Sequence, residues 1–291
     1  MEGENNLKYT LENVKSFELT DIFECGQCFR WNVQADGSYI GVVDNAVIEV
    51  RKIGQDVVFE SNEVDNLEGL VKKYFDLDRD YEKIKQTLSN IDDNLAKSIS
   101  YGAGIRLLNQ DLWETIISFI TSANNNIPRI KKIIETLART YGKEIEFKGK
   151  TYYTFPKPEE MAMATVEDFR KAGLGFRDKY VYKVVQMVQS GKLDLNELEQ
   201  MEETSKIREV LLSLPGVGEK VADCILLFSS LKRLEVFPID VWVRRVMNEL
   251  YLKEDDETKV DKKQIQKLAI EKYKDLAGIA QQYLFYWKRG A

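Results

Sequence analysis

The chain has 291 residues, 44% of them hydrophobic and 31% charged, with a net charge of −6; this is ordinary for a globular protein and long enough for two or three packed units. It contains no histidine, which excludes every His-based triad or dyad and every zinc site that needs imidazole. Its three cysteines, Cys25, Cys28 and Cys224, are too few for a disulfide framework, a four-thiolate zinc site or an iron–sulfur cluster. Any chemistry must rest on Lys, Asp or Glu, Tyr, or a hydroxyl or thiol activated by Lys or a carboxylate, and no cofactor or metal is expected. No apolar run approaches the roughly 18 residues of a membrane span, and the opening MEGENNLKYT lacks the basic-then-apolar pattern of a secretory signal. A cytoplasmic monomer is the expectation.

Residues 28–61 predict antiparallel strands, because Asp36-Gly37, Asp44-Asn45 and Gly54-Gln55 punctuate short runs rich in Val, Ile, Phe and Tyr. From about residue 63 the periodicity becomes helical. It predicts helices near 63–75, 79–89, 111–124, 128–141, 159–172, 178–190, 204–213, 219–230, 241–251 and 262–288. The fold class is therefore α+β: an N-terminal domain over 1–98 with an antiparallel sheet and helices, followed by a mainly helical domain over 99–291.

The stretch Leu214-Pro215-Gly216-Val217-Gly218-Glu219-Lys220 ends one helix, turns through two glycines and starts another. Gly216 and Gly218 let backbone N–H groups of the turn approach an anion such as a phosphate, although the same residues could simply cap two packed helices. Lys220 falls in the first turn, where the helix dipole disfavours a cation, and Val217 and Val221 flank it. Both effects favour a neutral, nucleophilic amine suited to Schiff-base chemistry. Twenty residues on, Pro238 breaks the chain and Asp240 sits where the next helix starts. There it can serve as an N-cap, as a stabiliser of cationic transition-state charge, or as both. Cys25 and Cys28 form a C-x-x-C, but a strand-like Phe29-Arg30-Trp31 follows rather than the helix a redox motif needs.

The Leu-Pro-Gly-Val-Gly hairpin with Lys220 and Asp240 resembles the helix-hairpin-helix DNA glycosylases in their lysine-bearing, bifunctional branch. Gly26-Gln27-Cys28-Phe29-Arg30-Trp31, Gln110-Asp111-Leu112-Trp113-Glu114, the run from Ser122 to Ile130 and Gly173-Leu174-Gly175-Phe176-Arg177 narrow the resemblance to the 8-oxoguanine DNA glycosylases. It extends from about residue 12 to the C-terminus. The 204–230 segment is then the helix-hairpin-helix, and the partner is double-stranded DNA containing damaged guanine. In a prokaryote the protein would be associated with the nucleoid.

The resemblance also implies roles. Lys220 is the nucleophile and Asp240 its carboxylate partner. Gly26 offers its carbonyl to the N7–H that 8-oxoguanine has and guanine lacks. Phe285 stacks on the flipped base, Cys224 faces its other side, and Gln281 contacts its pairing edge. Asn124 fills the vacated space, Phe176 wedges into the stack, and Arg129 and Arg177 donate to the opposite cytosine. Trp242 stands where eukaryotic members carry histidine, which puts phosphate contacts there in question. The readings that compete are a lysine-dependent glycosylase for another damaged base and a non-catalytic hairpin DNA-binding module. Any basic patch, with Lys179 and Arg244 as candidates, must be local on an acidic body.

Overall fold

Short β-branched and aromatic runs joined by tight turns give the N-terminal part of the chain a five-stranded antiparallel sheet. In the computed structural model, which describes residues 7–62, 64–255 and 260–290, the strands are β1 (Leu7–Leu11), β2 (Asn32–Val33), β3 (Tyr39–Val43), β4 (Ala46–Ile53) and β5 (Asp56–Ser61). Their order is β1-β5-β4-β3-β2. The turns at Asp44-Asn45 and Gly54-Gln55 set the register by pairing Val43 with Ala46 and Ile53 with Asp56.

Two strand expectations change. β1 precedes the 28–61 window and pairs with β5, and residues 28–31 are not a strand. Trp31 instead turns inward, stacking on Phe23 at 4.3 Å in a core shared with Phe17, Phe59 and Phe75. A further hairpin, β6 (Glu144–Phe147) and β7 (Lys150–Tyr153), lies where periodicity predicts no element. Its turn, Lys148-Gly149, has φ of 51° and 68°, the left-handed pair that a two-residue hairpin uses. Phe147 packs it onto the sheet against Ile40, Val42 and Val47.

Most predicted helices form within a few residues of their expected bounds, among them Leu67–Tyr74, Tyr81–Ser89, Leu112–Ser122, Ile127–Tyr141, Asp178–Gln189, Thr204–Leu212, Glu219–Phe228 and Val241–Met247. Polar caps fix several starts: Asp111 accepts from the Glu114 N–H at 2.7 Å, and Asn126 from the Arg129 N–H at 3.0 Å. Helices Asp93–Tyr101 and Leu195–Gln200 are additional, and the 159–172 stretch divides into shorter turns. The long 262–288 helix is two, Lys262–Tyr273 and Ala277–Gly290, broken where Lys274 takes φ of 52°. Apolar periodicity runs through that break and so cannot reveal it. Position 98/99 lies inside helix Asp93–Tyr101, whose Leu95 and Ile99 sit in the helical core. Among the described residues no helix is long and apolar enough to cross a membrane.

A polar seam joins sheet and helices. The buried Gln27 amide donates to the carbonyls of Ile22 at 2.9 Å and Arg106 at 2.7 Å, and accepts the Leu108 N–H at 2.9 Å. The Gln27 carbonyl in turn accepts from Gln110, which also donates to Phe228 at the end of helix Glu219–Phe228. Lys232 adds bonds to the carbonyls of Leu107 and Leu108 at 2.6 and 2.9 Å.

At the same seam Arg30 donates to the Tyr153 carbonyl and lies 3.8 Å from Glu114. Burial pushes the Glu114 carboxyl up to about 7, against the opposing pull of Arg30. A raised carboxyl contributes stability that is complete below its ordinary value of 4.5 and is lost as pH rises through about 7. The thermal midpoint of the wild type, measured relative to Glu114→Gln, should therefore fall across that window. A constant difference between the two proteins would show that Glu114 ionises in the fold as it does in the unfolded chain.

Candidate active site

The turn between helices Thr204–Leu212 and Glu219–Phe228 has the geometry its sequence predicts. Gly216 takes φ of 82°, and a Cβ there would lie 2.7 Å from the Tyr180 ring. Gly218, the N-cap of the second helix, has open space around it. Arg208 and Asp223 are paired across the two arms. Burial pushes the Asp223 carboxyl up to about 6, while Arg208 pulls it down.

Lys220 stands in the first turn of the second arm, its Nζ 5.5 Å from the centre of the Phe119 ring. Together with Asp240 it lines an open cleft of about 800 Å³. Asp240 caps helix Val241–Met247 by accepting the Val243 N–H at 2.7 Å, so the capping role holds while the residue still faces Lys220's cleft. Cys224 lies one turn beyond Lys220. Burial pushes its thiol up to about 11, the Lys220 cation works against this, and Asp223 and Asp240 reinforce it. Lys220 and Asp240 thus both act on the Cys224 thiol.

The same cleft is also lined by Gly26 and Phe285, while Cys224 and Gln281 are not among its lining residues. Gly26 takes φ of 86°, a left-handed conformation that glycine adopts freely. The residues around it are held on both sides: Gln282 donates to the Cys25 carbonyl at 2.5 Å, and Gln27 is locked into the seam. Cys25 and Cys28 are both buried, which pushes the Cys25 thiol up to about 12 and raises Cys28 as well. Neither has the environment of a redox thiol. Gln281 is buried, and its Oε1 has no hydrogen-bond partner among the described residues.

A second group lies along the rim. Asn124 is exposed with φ of 50°, and Phe176, 59% exposed, meets Tyr180 edge-on at 6.4 Å. Arg129 is exposed, with a guanidinium nitrogen 3.9 Å from where a Cβ on Gly175 would sit. Arg177 departs from expectation. It is only 2% exposed, and its guanidinium donates to the carbonyls of Ala123, Asn124 and Leu174. Helix Leu112–Ser122 ends just before these loop carbonyls, which need donors, and Arg177 supplies them. Arg129, not Arg177, is thus at the surface with a guanidinium that makes no hydrogen bond among the described residues.

Three further cleft residues, Phe119, Arg245 and Arg289, were not anticipated. Arg289 follows Gln281 and Phe285 at the same four-residue spacing, a signal the sequence did contain. Among the described residues no group of three or more Cys, Asp or Glu side chains could hold a metal ion.

Known proteins resemble this chain over most of its length. Residues 10–116 match the 8-oxoguanine DNA glycosylase N-terminal domain, and residues 117–273 match the HhH-GPD superfamily base excision DNA repair protein. An N-glycosylase/DNA lyase of Saccharomyces cerevisiae is 31% identical over 82% of this chain and 69% of its own. A protein of Methanothermobacter thermautotrophicus named "Probable N-glycosylase/DNA lyase" is 32% identical over 74% and 72%. The solved 8-oxoguanine glycosylase/lyase of Clostridium acetobutylicum, in complex with double-stranded DNA containing cytosine opposite 8-oxoG, is 44% identical. It superposes with a TM-score of 0.91 over 97% of this chain and 95% of that one. The chain belongs to the 8-oxoguanine DNA glycosylase family, within the HhH-GPD superfamily of base excision DNA repair proteins.

The two hairpin glycines should behave differently. Gly216→Ala meets both a left-handed backbone and the Tyr180 ring, and should lower stability by at least about 1 kcal/mol. Gly218→Ala meets neither and should melt like the wild type; on the expectation that the turn's N–H groups meet a phosphate, its methyl should weaken duplex binding. Melting curves and binding titrations separate the two. Equal melting losses, or undiminished affinity in Gly218→Ala, would contradict this reading.

Proposed function

We propose that the protein excises 8-oxoguanine from duplex DNA opposite cytosine, with Lys220 as nucleophile, and then cleaves the resulting abasic strand. The observation that carries this reading is the cleft itself. Lys220, Asp240, Gly26 and Phe285 all line it, and Cys224 is buried one helical turn beyond Lys220. A flipped base would lie against Phe285, its N7–H directed at the Gly26 carbonyl. Guanine has no N7–H, so it would leave that buried acceptor unpaired at a cost of about 1–3 kcal/mol.

The Lys220 amine attacks C1′ of the extruded nucleotide. A C–N bond forms, the glycosidic bond breaks, and the base leaves with its electron pair and takes up a proton. Asp240 stabilises the positive charge that develops on the sugar and accepts the proton that Lys220 sheds. The adduct opens to an imine, loss of a C2′ proton follows, and the 3′ phosphate departs by β-elimination. Cys224, with its thiol pushed up to about 11, remains protonated and supplies a surface for the base rather than a competing nucleophile.

On the rim, Asn124 and Phe176 would occupy the hole left in the stack, and Arg129 would read the orphaned cytosine. Arg177 would act through the loop it holds. Gly216 and Gly218 present the hairpin backbone to phosphate. All three cysteines are free and buried, which fits a reducing cytoplasm.

Lys220→Gln should abolish excision and borohydride trapping on lesion DNA while duplex affinity stays within about threefold of wild type, since a Schiff-base nucleophile contributes chemistry rather than binding. Normal trapping by this variant would remove Lys220 from the mechanism.

The wild type should prefer cytosine over adenine opposite the lesion by at least about tenfold, because adenine's amino group meets Arg129's donors and a mismatched contact costs about 1–3 kcal/mol. Arg129→Met should narrow that ratio, chiefly through lost activity on the cytosine duplex. If activity falls equally on both duplexes, Arg129 contacts only the backbone.

A further inference from the structure

Gln281, Phe285 and Arg289 are spaced four apart on helix Ala277–Gly290, so their side chains form one stripe along it. The first two are the proposed edge contact and stacking platform. Arg289 extends the stripe to the mouth of the cleft. Its Nη1 lies 3.6 Å from the point where a Cβ on Gly26 would sit, and Phe285 Cε1 lies 3.5 Å from that same point. The guanidinium carbon is 5.9 Å from the centre of the Phe285 ring. Among the described residues this guanidinium makes no hydrogen bond or ion pair, whereas Lys288 beside it is paired with Glu249.

An unpaired guanidinium held 5.9 Å from the centre of a stacking ring is a set of donors waiting for acceptors. On the reading that Gly26 accepts from N7–H, the base edge facing this corner presents O6 and O8 on either side of N7, and both are acceptors. We propose that Arg289 is a base-binding residue that donates to an oxygen flanking N7 of the flipped 8-oxoguanine, beside the Gly26 contact. The inference rests on the proposed role of Gly26. A carbonyl and a guanidinium side by side would then match the donor and acceptor that lie side by side on the lesion. A hydrogen bond from a charged donor inside a cleft contributes more than a neutral one.

The test compares wild type, Arg289→Gln and Arg289→Lys on two substrates: a duplex with 8-oxoguanine opposite cytosine, and the same duplex carrying a preformed abasic site. Arg289 is exposed near the end of its helix, and melting curves confirm that each variant is folded. Single-turnover excision by Arg289→Gln should fall by at least about tenfold, with Arg289→Lys intermediate. Strand cleavage at the abasic site, where no base remains to be contacted, should stay within about twofold of wild type. The salt dependence of duplex binding should not change. Equal losses on both substrates with a shallower salt dependence would overturn the proposal in favour of a phosphate contact. Undiminished excision by Arg289→Gln would overturn it outright. If the wild type cleaves abasic DNA but leaves 8-oxoguanine in place, the reading of Gly26 fails first and the proposal fails with it.

Discussion

The side-chain amide of Gln27 is buried where sheet and helices meet, and its three hydrogen bonds fix the segment that carries Gly26. The neighbouring bonds, from Gln282 to Cys25 and from Gln110 to Gln27 and Phe228, tie that segment to the last helix and to the end of the helix that bears Lys220. A backbone carbonyl offers no rotamer by which to adjust itself, so its usefulness for recognition depends on how firmly its frame is held. Here the frame is a buried polar network joining elements more than 200 residues apart in sequence. Because fully satisfied networks of this kind are rigid, distances across the cleft are set by the fold rather than by the ligand.

The hairpin side is fixed by different means. Arg208 and Asp223 lock its two arms together, and Gly216 rests on Tyr180, which in turn meets Phe176. The hairpin turn and the exposed Phe176 ring thereby share one support. Asp240 combines two functions in one carboxylate: the hydrogen bond that starts its helix also fixes the orientation in which it faces the cleft.

Much of this was legible in the sequence because the relevant residues act through local rules. Gly-x-Gly before a lysine and Asp after a proline each specify a turn or cap without help from distant chain. The last helix shows where such rules stop. Its split at Lys274 leaves the apolar period intact, and the left-handed residue there is not a glycine. The β6–β7 hairpin was missed because its Lys-Gly turn is a weaker signal than Asn-Gly or Asp-Gly. The burial of Arg177 is illegible for a related reason: the Ala123 and Asn124 carbonyls it satisfies belong to a loop more than 50 residues earlier. Arg289 could have been read from spacing alone, yet only the fold shows that the stripe ends beside Gly26.

The three thiols have a consequence for where such a protein can work. A substrate made by oxidation accumulates when peroxide and related oxidants are abundant, and those oxidants attack thiolates rather than thiols. With its thiol pushed up to about 11, Cys224 is ionised in on the order of one molecule in ten thousand at pH 7. Cys25 and Cys28 are shielded still further by the packing that holds Gly26 in place. The burial that shapes the recognition pocket thus also keeps its sulfur atoms chemically quiet, so the protein can remain intact under the conditions that create the damage it is built to remove.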